Sequence, residues 1–239
     1  GAELLARAGR HGLRVAGAPD TFLGAGLQAG KRLIESGRIG QPLTALTLFQ
    51  AGGPEAWHPN PEFLYARGGG PLYDLGPYYI TTLVQNLGPV KRVAATASTA
   101  QPQRIIGSGP RAGRVFSVEV PTHVSALIEF HDGASAQSAF SFQSALSRIG
   151  LVEIAGTEGT LRLPDPNTFD GNLMLWANGS ETPDTIRTTR RAERGTGVVE
   201  LARAIRAGVP ERASGAQAYH VLDVIASIAE AAESGEFVD

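Results

Sequence analysis

The 239 residues fit one large domain or one and a half ordinary ones, and an apolar share of 42% supplies a real core and argues against disorder. A net charge of −2, with acids and bases mixed along the chain, gives no electrostatic footprint for nucleic acid, and no run of about 18 apolar residues exists to cross a membrane. With no cysteine, disulfides, thiol catalysis and thiolate metal sites are excluded, and a reducing cytoplasm is the simplest expectation.

In chain order, "AELLARAGR" reads as a short helix, the Gly9–Gly12 stretch as a break, and Leu13–Ala16 as a short apolar strand. A helix under about 12 residues is marginal alone in water, and such a pair normally belongs to a larger α/β sheet. Since nothing nearby completes one, the expectation is a fragment whose protein begins upstream. Residues 22–37 predict a helix with Leu27, Leu33 and Ile34 on one stripe and Gly37 as its stop. Leu43–Gln50, rich in Thr and apolar residues, predicts a strand. The segment from Ala51 to Gly70 is long and irregular, and loops of that length are often functional.

A helix is expected over Leu75–Leu87, with Pro77 in its first turn, where the missing N–H is not needed. Strands dominate the text beyond it. Val90–Ser98 is one. Thr122–Phe130 alternates Val124, Ala126, Ile128 and Phe130 against polar partners, with Leu127 breaking the pattern. The His131–Gly133 turn leads into Ala134–Ser144 as a hairpin. "LVEIA" and "TLRL" flank Gly156–Gly159 as a second hairpin, and "LMLW" with the Thr185–Thr189 stretch forms a third. Helices near Val198–Ala207 and Gly215–Ser234 close the chain. Hairpins with helices grouped at the ends mean α+β. The predicted helices can cover one sheet face at most. "ASAQSAFSF" carries no charge where an exposed face would need it, so a homodimer through the sheet is expected.

The stretch Gly68–Tyr79, "GGGPLYDLGPYY", carries the most chemistry. Asp74 and Tyr78 are i and i+4 and share a face if one helix holds both, with Thr82 and Gln85 extending it. A phenol near a carboxylate can pass a proton to or from a substrate hydroxyl. Equally, Asp74 could simply cap a helix whose first turn holds Pro77. Tyr79 points about 100° away from Tyr78 and reads as core. In the long loop, Trp57, His58 and Tyr65 suit sugar or polyol binding by stacking and hydrogen bonding; alternatively, Trp57 and Phe63 pin the loop to the core. His123 and His220 read as structural, and His11 and His131 as surface. The five scattered histidines show no metal-ligand spacing, so no metal is expected. The Lys-Arg and Arg-Arg pairs read as solvated faces.

This stretch resembles the GGGxLxDxGxH/Y signature of the Gfo/Idh/MocA oxidoreductases. Further similarities follow in order: "LRVAGA" to the family's last Rossmann strand, "KRLIESGRIGQP" to its helix–turn, "VSALIEFHDGASAQ" and "IAGTEGTLRLPDP" to its hairpins, and "ESGEFVD" to its C-terminal end. The resemblance implies a large open, mainly antiparallel sheet with helices on one face, like the C-terminal domain of glyceraldehyde-3-phosphate dehydrogenase. It implies that residues 1–17 are a remnant of a Rossmann NAD(P)-binding domain and residues 18–239 a substrate-binding and oligomerisation domain. The glycine turn, Gly69 and Gly70 included, would lie by the nicotinamide end of NAD or NADP, and Asp74 and Tyr78 would be catalytic. The chain lacks GxGxxG and the Glu-Lys-Pro segment that supplies the family's catalytic Lys, so it is not expected to hold the cofactor alone. The implied activity is hydride transfer between nicotinamide and a sugar, polyol or related carbinol. The same fold also serves NAD-dependent glycoside hydrolases or lyases and non-catalytic dimerisation modules.

Overall fold

The computed structural model describes residues 1–189 and 192–239. Its elements in order are α1 (Ala2–Arg10), α2 (Ala25–Glu35), β1 (Pro42–Gly52), α3 (Gly70–Leu87), β2 (Val90–Ser98), β3 (Gln103–Ile105), β4 (Val115–Ser117), β5 (His123–Phe130), β6 (Ser135–Ser141), β7 (Gln143–Gly156), β8 (Gly159–Leu163), β9 (Leu173–Ala177), β10 (Asp184–Ile186), α4 (Thr196–Ala207) and α5 (Gly215–Ser234). Eight strands form one sheet in the order β10-β9-β8-β7-β1-β6-β5-β2. Neighbours pair antiparallel except β1 with β6, which run parallel. The expected α+β class, with a large, mainly antiparallel sheet, is what forms.

Two-residue alternation decides which side of the sheet is inside. Val124, Ala126, Ile128 and Phe130 of β5 are buried, as are Ala136 and Phe140 of β6, Val152 and Ile154 of β7, and Leu161 and Leu163 of β8. On this side, α3 packs on β1, β5 and β6, α5 on α3 and β2, and α2 on β8. The other side is open. Leu127, which breaks the alternation in sequence, pairs across from Gln137, and Gln137 from Leu46. Leu127 is 53% exposed and Leu46 40%. Polar and small side chains intersperse this face, and its charges include the Arg92–Glu129 pair at 2.7 Å near the edge.

The structure departs from the sequence expectations in several places. Leu13–Ala16 is not a strand. Ala16 makes one isolated bridge to Ser214, and Leu13 is 66% exposed, because this text has no neighbouring strand to pair with. Helix α3 begins at Gly70, five residues before the expected start, with Pro71 in its first turn and Pro77 in its interior. Burial of Leu72, Leu75 and Gly76 outweighs the cost of Pro77, whose ring removes the bond that the Tyr73 carbonyl would otherwise accept. The small β3–β4 ladder was not anticipated: three-residue strands carry too little alternation to read. The Arg190–Arg191 pair lies outside the described residues.

Tyr79 is fully buried, as expected, with its ring edge-on to Phe49 and Phe140. Its hydroxyl accepts the N–H of Gly150 at 2.8 Å. Gly150 sits at a bulge in β7, between the pairs Leu48↔Leu151 and Gln50↔Arg148, with φ +76°. Replacing Tyr79 by Phe would leave that buried N–H without a partner. The expected cost is about 1–3 kcal/mol, to be read by urea denaturation, with the slope of the transition unchanged.

Candidate functional site

Helix α3 presents Asp74, Pro77, Tyr78 and Thr81 at i, i+3, i+4 and i+7, which is one face. The opposite face carries Leu72, Leu75, Tyr79, Ile80 and Leu83 into the core. Asp74 and Tyr78 are therefore placed on one helix, a turn apart, facing away from the sheet. A cleft of about 270 Å³ runs between α3 and α5, with Pro77, Thr81, Tyr73, Val221 and the Gly17–Pro19 segment in its walls.

Asp74 is inside the helix and does not cap it; Gly69 holds the N-cap position. As a residue Asp74 is solvent-exposed, yet protein atoms crowd its carboxyl, and this burial raises its pKa above the ordinary carboxylate value, with no cation among the described residues offsetting it. Tyr78 is half-buried and packs against the core edge. The expected extension of this face toward Thr82 and Gln85 is used up internally. The Thr82 hydroxyl donates to the Tyr78 carbonyl at 3.0 Å, and the Gln85 side chain donates to Gln217 of α5.

The glycine turn answers a packing demand. Gly68 and Gly70 have φ of +86° and +84°, which L side chains rarely adopt. A Cβ on Gly69 would stand 2.6 Å from the Phe63 carbonyl oxygen, and one on Gly70 3.0 Å from that of Pro121. Protein backbone, and no open cradle, fills the space that the missing Cβ atoms leave at Gly69 and Gly70. Of the three, only Gly68 faces open space.

In the preceding loop, the three aromatic candidates part company. Trp57 is 68% exposed and His58 half-buried, with ring centroids 5.5 Å apart. Tyr65 has no exposed surface. Its hydroxyl donates to the Glu55 carboxylate, which also accepts from Arg104 at 2.6 Å. Burial, and then the hydrogen bond to Glu55, push the Tyr65 phenol far above its ordinary pKa. The expectation that Tyr65 meets substrate is corrected: its polar group is spent inside the protein, and it anchors the loop. Glu55 and Arg104 went unread in the sequence because their partner lies 49 residues away.

The histidines other than His58 are structural or peripheral. The Val90 N–H donates to Nε2 of His220 at 3.1 Å, tying α5 to the start of β2, and His123 pairs with the Ser125 hydroxyl at 3.0 Å. Among the described residues no group of acidic or histidine side chains could hold a metal ion. A larger cleft, about 910 Å³, lies between α2, α4 and residues 187–189 and 192–195. Arg32, Arg187, Arg194 and Arg203 line it, and no residue of α3 reaches it.

A sequence profile of the GFO/IDH/MocA C-terminal domain matches residues 27–162, from α2 through β8. The chain belongs to the GFO/IDH/MocA family. No curated protein sequence matches it. Among solved structures, this GFO/IDH/MocA domain is similar to an NAD binding oxidoreductase from Klebsiella pneumoniae, with TM-score 0.82 and 22% identity over 99% of this chain and 69% of that one. It is also similar to aldose-aldose oxidoreductase from Caulobacter crescentus complexed with glycerol, with TM-score 0.76 and 22% identity over 99% and 67%. A third likeness is to levoglucosan dehydrogenase in complex with NADH and L-sorbose, with TM-score 0.74 and 21% identity over 92% and 64%. At these identities the likeness is one of fold.

Because burial raises the Asp74 pKa in the folded protein, the folded state holds that proton more tightly than the unfolded chain. Stability from this group is complete below the ordinary carboxylate pKa and is lost as pH rises through the raised value. Asp74→Asn is therefore expected to raise the melting temperature at pH 7 and to leave it unchanged at pH 3, as read by thermal denaturation at the two pH values.

Proposed function

We propose that this chain is the substrate-binding domain of an NAD(P)-dependent oxidoreductase that acts on a sugar, polyol or related carbinol. The observation that carries this reading is the outward face of α3, where the crowded Asp74 carboxyl and the Tyr78 phenol stand one turn apart; they do not line the α3–α5 cleft, whose wall is formed by their neighbours Tyr73 and Pro77. The solved structures with this fold add support: they include an aldose-aldose oxidoreductase and a levoglucosan dehydrogenase with NADH.

In this reading residues 1–17 are the closing helix and strand of a dinucleotide-binding domain, and residues 18–239 form the substrate domain. The content of the segment supports this division: α1 buries none of its residues, and Leu13 finds no strand to join. The nicotinamide cofactor, when bound, supplies the hydride acceptor. The chain's own groups handle the proton. Tyr78 gives it to or takes it from the substrate hydroxyl, in concert with a Lys from the dinucleotide-binding domain that the family resemblance implies. Asp74 orients the hydroxyl and, through its raised pKa, favours a shared proton over a bare charge. Gly69 and Gly70 would bring the start of α3 against the nicotinamide end; the dinucleotide phosphates need a Gly-rich βα turn that this chain does not contain. No helix of the described residues is long and apolar enough to cross a membrane, and an absence of cysteine suits a reducing cytoplasm.

The test is product analysis with a protein carrying both domains, NAD or NADP, and a panel of sugars and polyols. Sugar-dependent formation of reduced cofactor, matched by an equal amount of oxidised sugar, is the expected result. Release of a leaving group with no net reduced cofactor would mean a hydrolase or lyase, and a protein with no affinity for cofactor would mean an assembly module.

The open sheet face is also proposed as a homodimer interface. Leu46, Leu48, Leu127 and Leu151 lie on it, and an uncovered apolar face of a few hundred Å² usually marks an association surface. Light scattering at micromolar concentration should return twice the 25.0 kDa chain mass. A clean monomer would contradict the interface.

A further inference from the structure

The loop between β1 and α3 is clamped at its base and aromatic at its tip. Glu55 and Arg104, whose side chains are 14% and 11% exposed, pair at 2.6 Å, and Tyr65 holds the other Glu55 oxygen. The Gly107 N–H donates to the Glu55 carbonyl at 2.7 Å, and the Ser108 hydroxyl to the Trp57 carbonyl at 2.7 Å. Arg111 closes the far side on Glu62. All four of these anchors come from the arm that contains β3 and β4, so it fixes the loop from Glu55 to Tyr65.

What that clamp presents is unusual for a plain connection. Trp57 and Phe63 are 68% and 61% exposed, so neither pins the loop to the core; Leu64 and Tyr65 do that instead. The His58 ring lies between them, 5.5 Å from Trp57 and 5.4 Å from Phe63, at 69° to each. The Asn60 N–H donates to Nδ1 of His58 at 3.1 Å, so the neutral ring carries its proton on Nε2. A donor set between two exposed aromatic rings matches a sugar ring, which has apolar C–H faces and a rim of hydroxyl acceptors. A rigid base lowers the ordering cost of binding. The Phe63 carbonyl lies against Gly69, so the platform adjoins the start of α3 and the Asp74 face.

We propose that Trp57, His58 and Phe63 form a carbohydrate-binding platform, with His58 Nε2–H as its hydrogen-bond donor and Glu55, Tyr65 and Arg104 as positioning residues. The inference rests on the reading of the substrate as a sugar or polyol, and adds Phe63, the donor atom and the clamp to it.

The chain has two tryptophans, so Trp176→Phe leaves Trp57 as the sole reporter. Titration of that variant with methyl glucopyranoside and with sorbitol should give a saturable change in fluorescence. His58→Ala and Phe63→Ala should each weaken binding about tenfold, the effect of losing roughly one good contact. Arg104→Met, which frees the loop and touches no ligand, should weaken binding with the circular dichroism unchanged. Saturation-transfer NMR on the unsubstituted chain, read on the sugar C–H protons, gives the same answer if Trp176→Phe fails to fold. Absence of saturable binding, or constants in the His58 and Phe63 variants unchanged from that of the Trp176→Phe parent, would overturn the platform. No cofactor enters this experiment. Sugar binding here without cofactor reduction by the two-domain protein would remove the oxidoreductase reading and keep the platform; reduction without binding here would do the reverse.

Discussion

The phenol of Tyr79 is sealed between Phe49 and Phe140, and its oxygen accepts the Gly150 N–H at 2.8 Å. That bond couples α3 to the bulge in β7 and sets the rotation of the helix about its axis. On the α5 side, Gly76 is buried facing Ile225. With Leu72, Leu75, Tyr79, Ile80 and Leu83 committed to the core, Asp74 and Tyr78 have one direction left. Adjacent tyrosines thus part ways: Tyr79 is a buried acceptor for the sheet, and Tyr78 is half-buried on the outward side of α3.

The same logic governs the loop before α3. Its anchoring groups are paired with one another away from solvent: Glu55 meets both Arg104 and the Tyr65 hydroxyl, and the Arg104 guanidinium, whose Nε has no partner among the described residues, lies 5.7 Å from the centre of the Tyr65 ring. A buried pair of charges is weak evidence of stability, since desolvation offsets much of the attraction. Its effect here is geometric, because it holds a loop whose sequence would otherwise leave it many conformations. The glycine turn is shaped in the same way, by the Phe63 and Pro121 carbonyls that crowd Gly69 and Gly70. Polar groups with partners inside the protein give shape; Asp74, which makes no side-chain hydrogen bond to the described residues, is the group to which the proposal gives chemistry.

Much of this could be read in the sequence. Two-residue alternation placed β5 to within a residue, and the turn residues His131–Gly133 and Gly156–Gly159 marked two hairpins correctly. The motif around Asp74 falls on α3. The start of that helix was misread because Pro77 suits a first turn, and only tertiary burial of Leu72 and Leu75 shows that the helix tolerates it inside. Leu13–Ala16 looked like a strand because β-propensity needs a partner strand that local text does not reveal. Tyr65 and Trp57 were indistinguishable as loop aromatics. What separates them is Arg104, and a contact across 49 residues leaves no local signal.

The account turns on the two neighbouring tyrosines of α3, and one substitution separates its claim from a structural alternative. Tyr78→Phe in a protein carrying both proposed domains removes one oxygen that the core does not use. Steady-state kinetics of this variant, with folding checked by circular dichroism, should show kcat lowered by roughly 10²–10⁴-fold, the usual contribution of a general acid–base group, at unchanged stability. An unchanged kcat would contradict the assignment and make the outward face of α3 a packing surface.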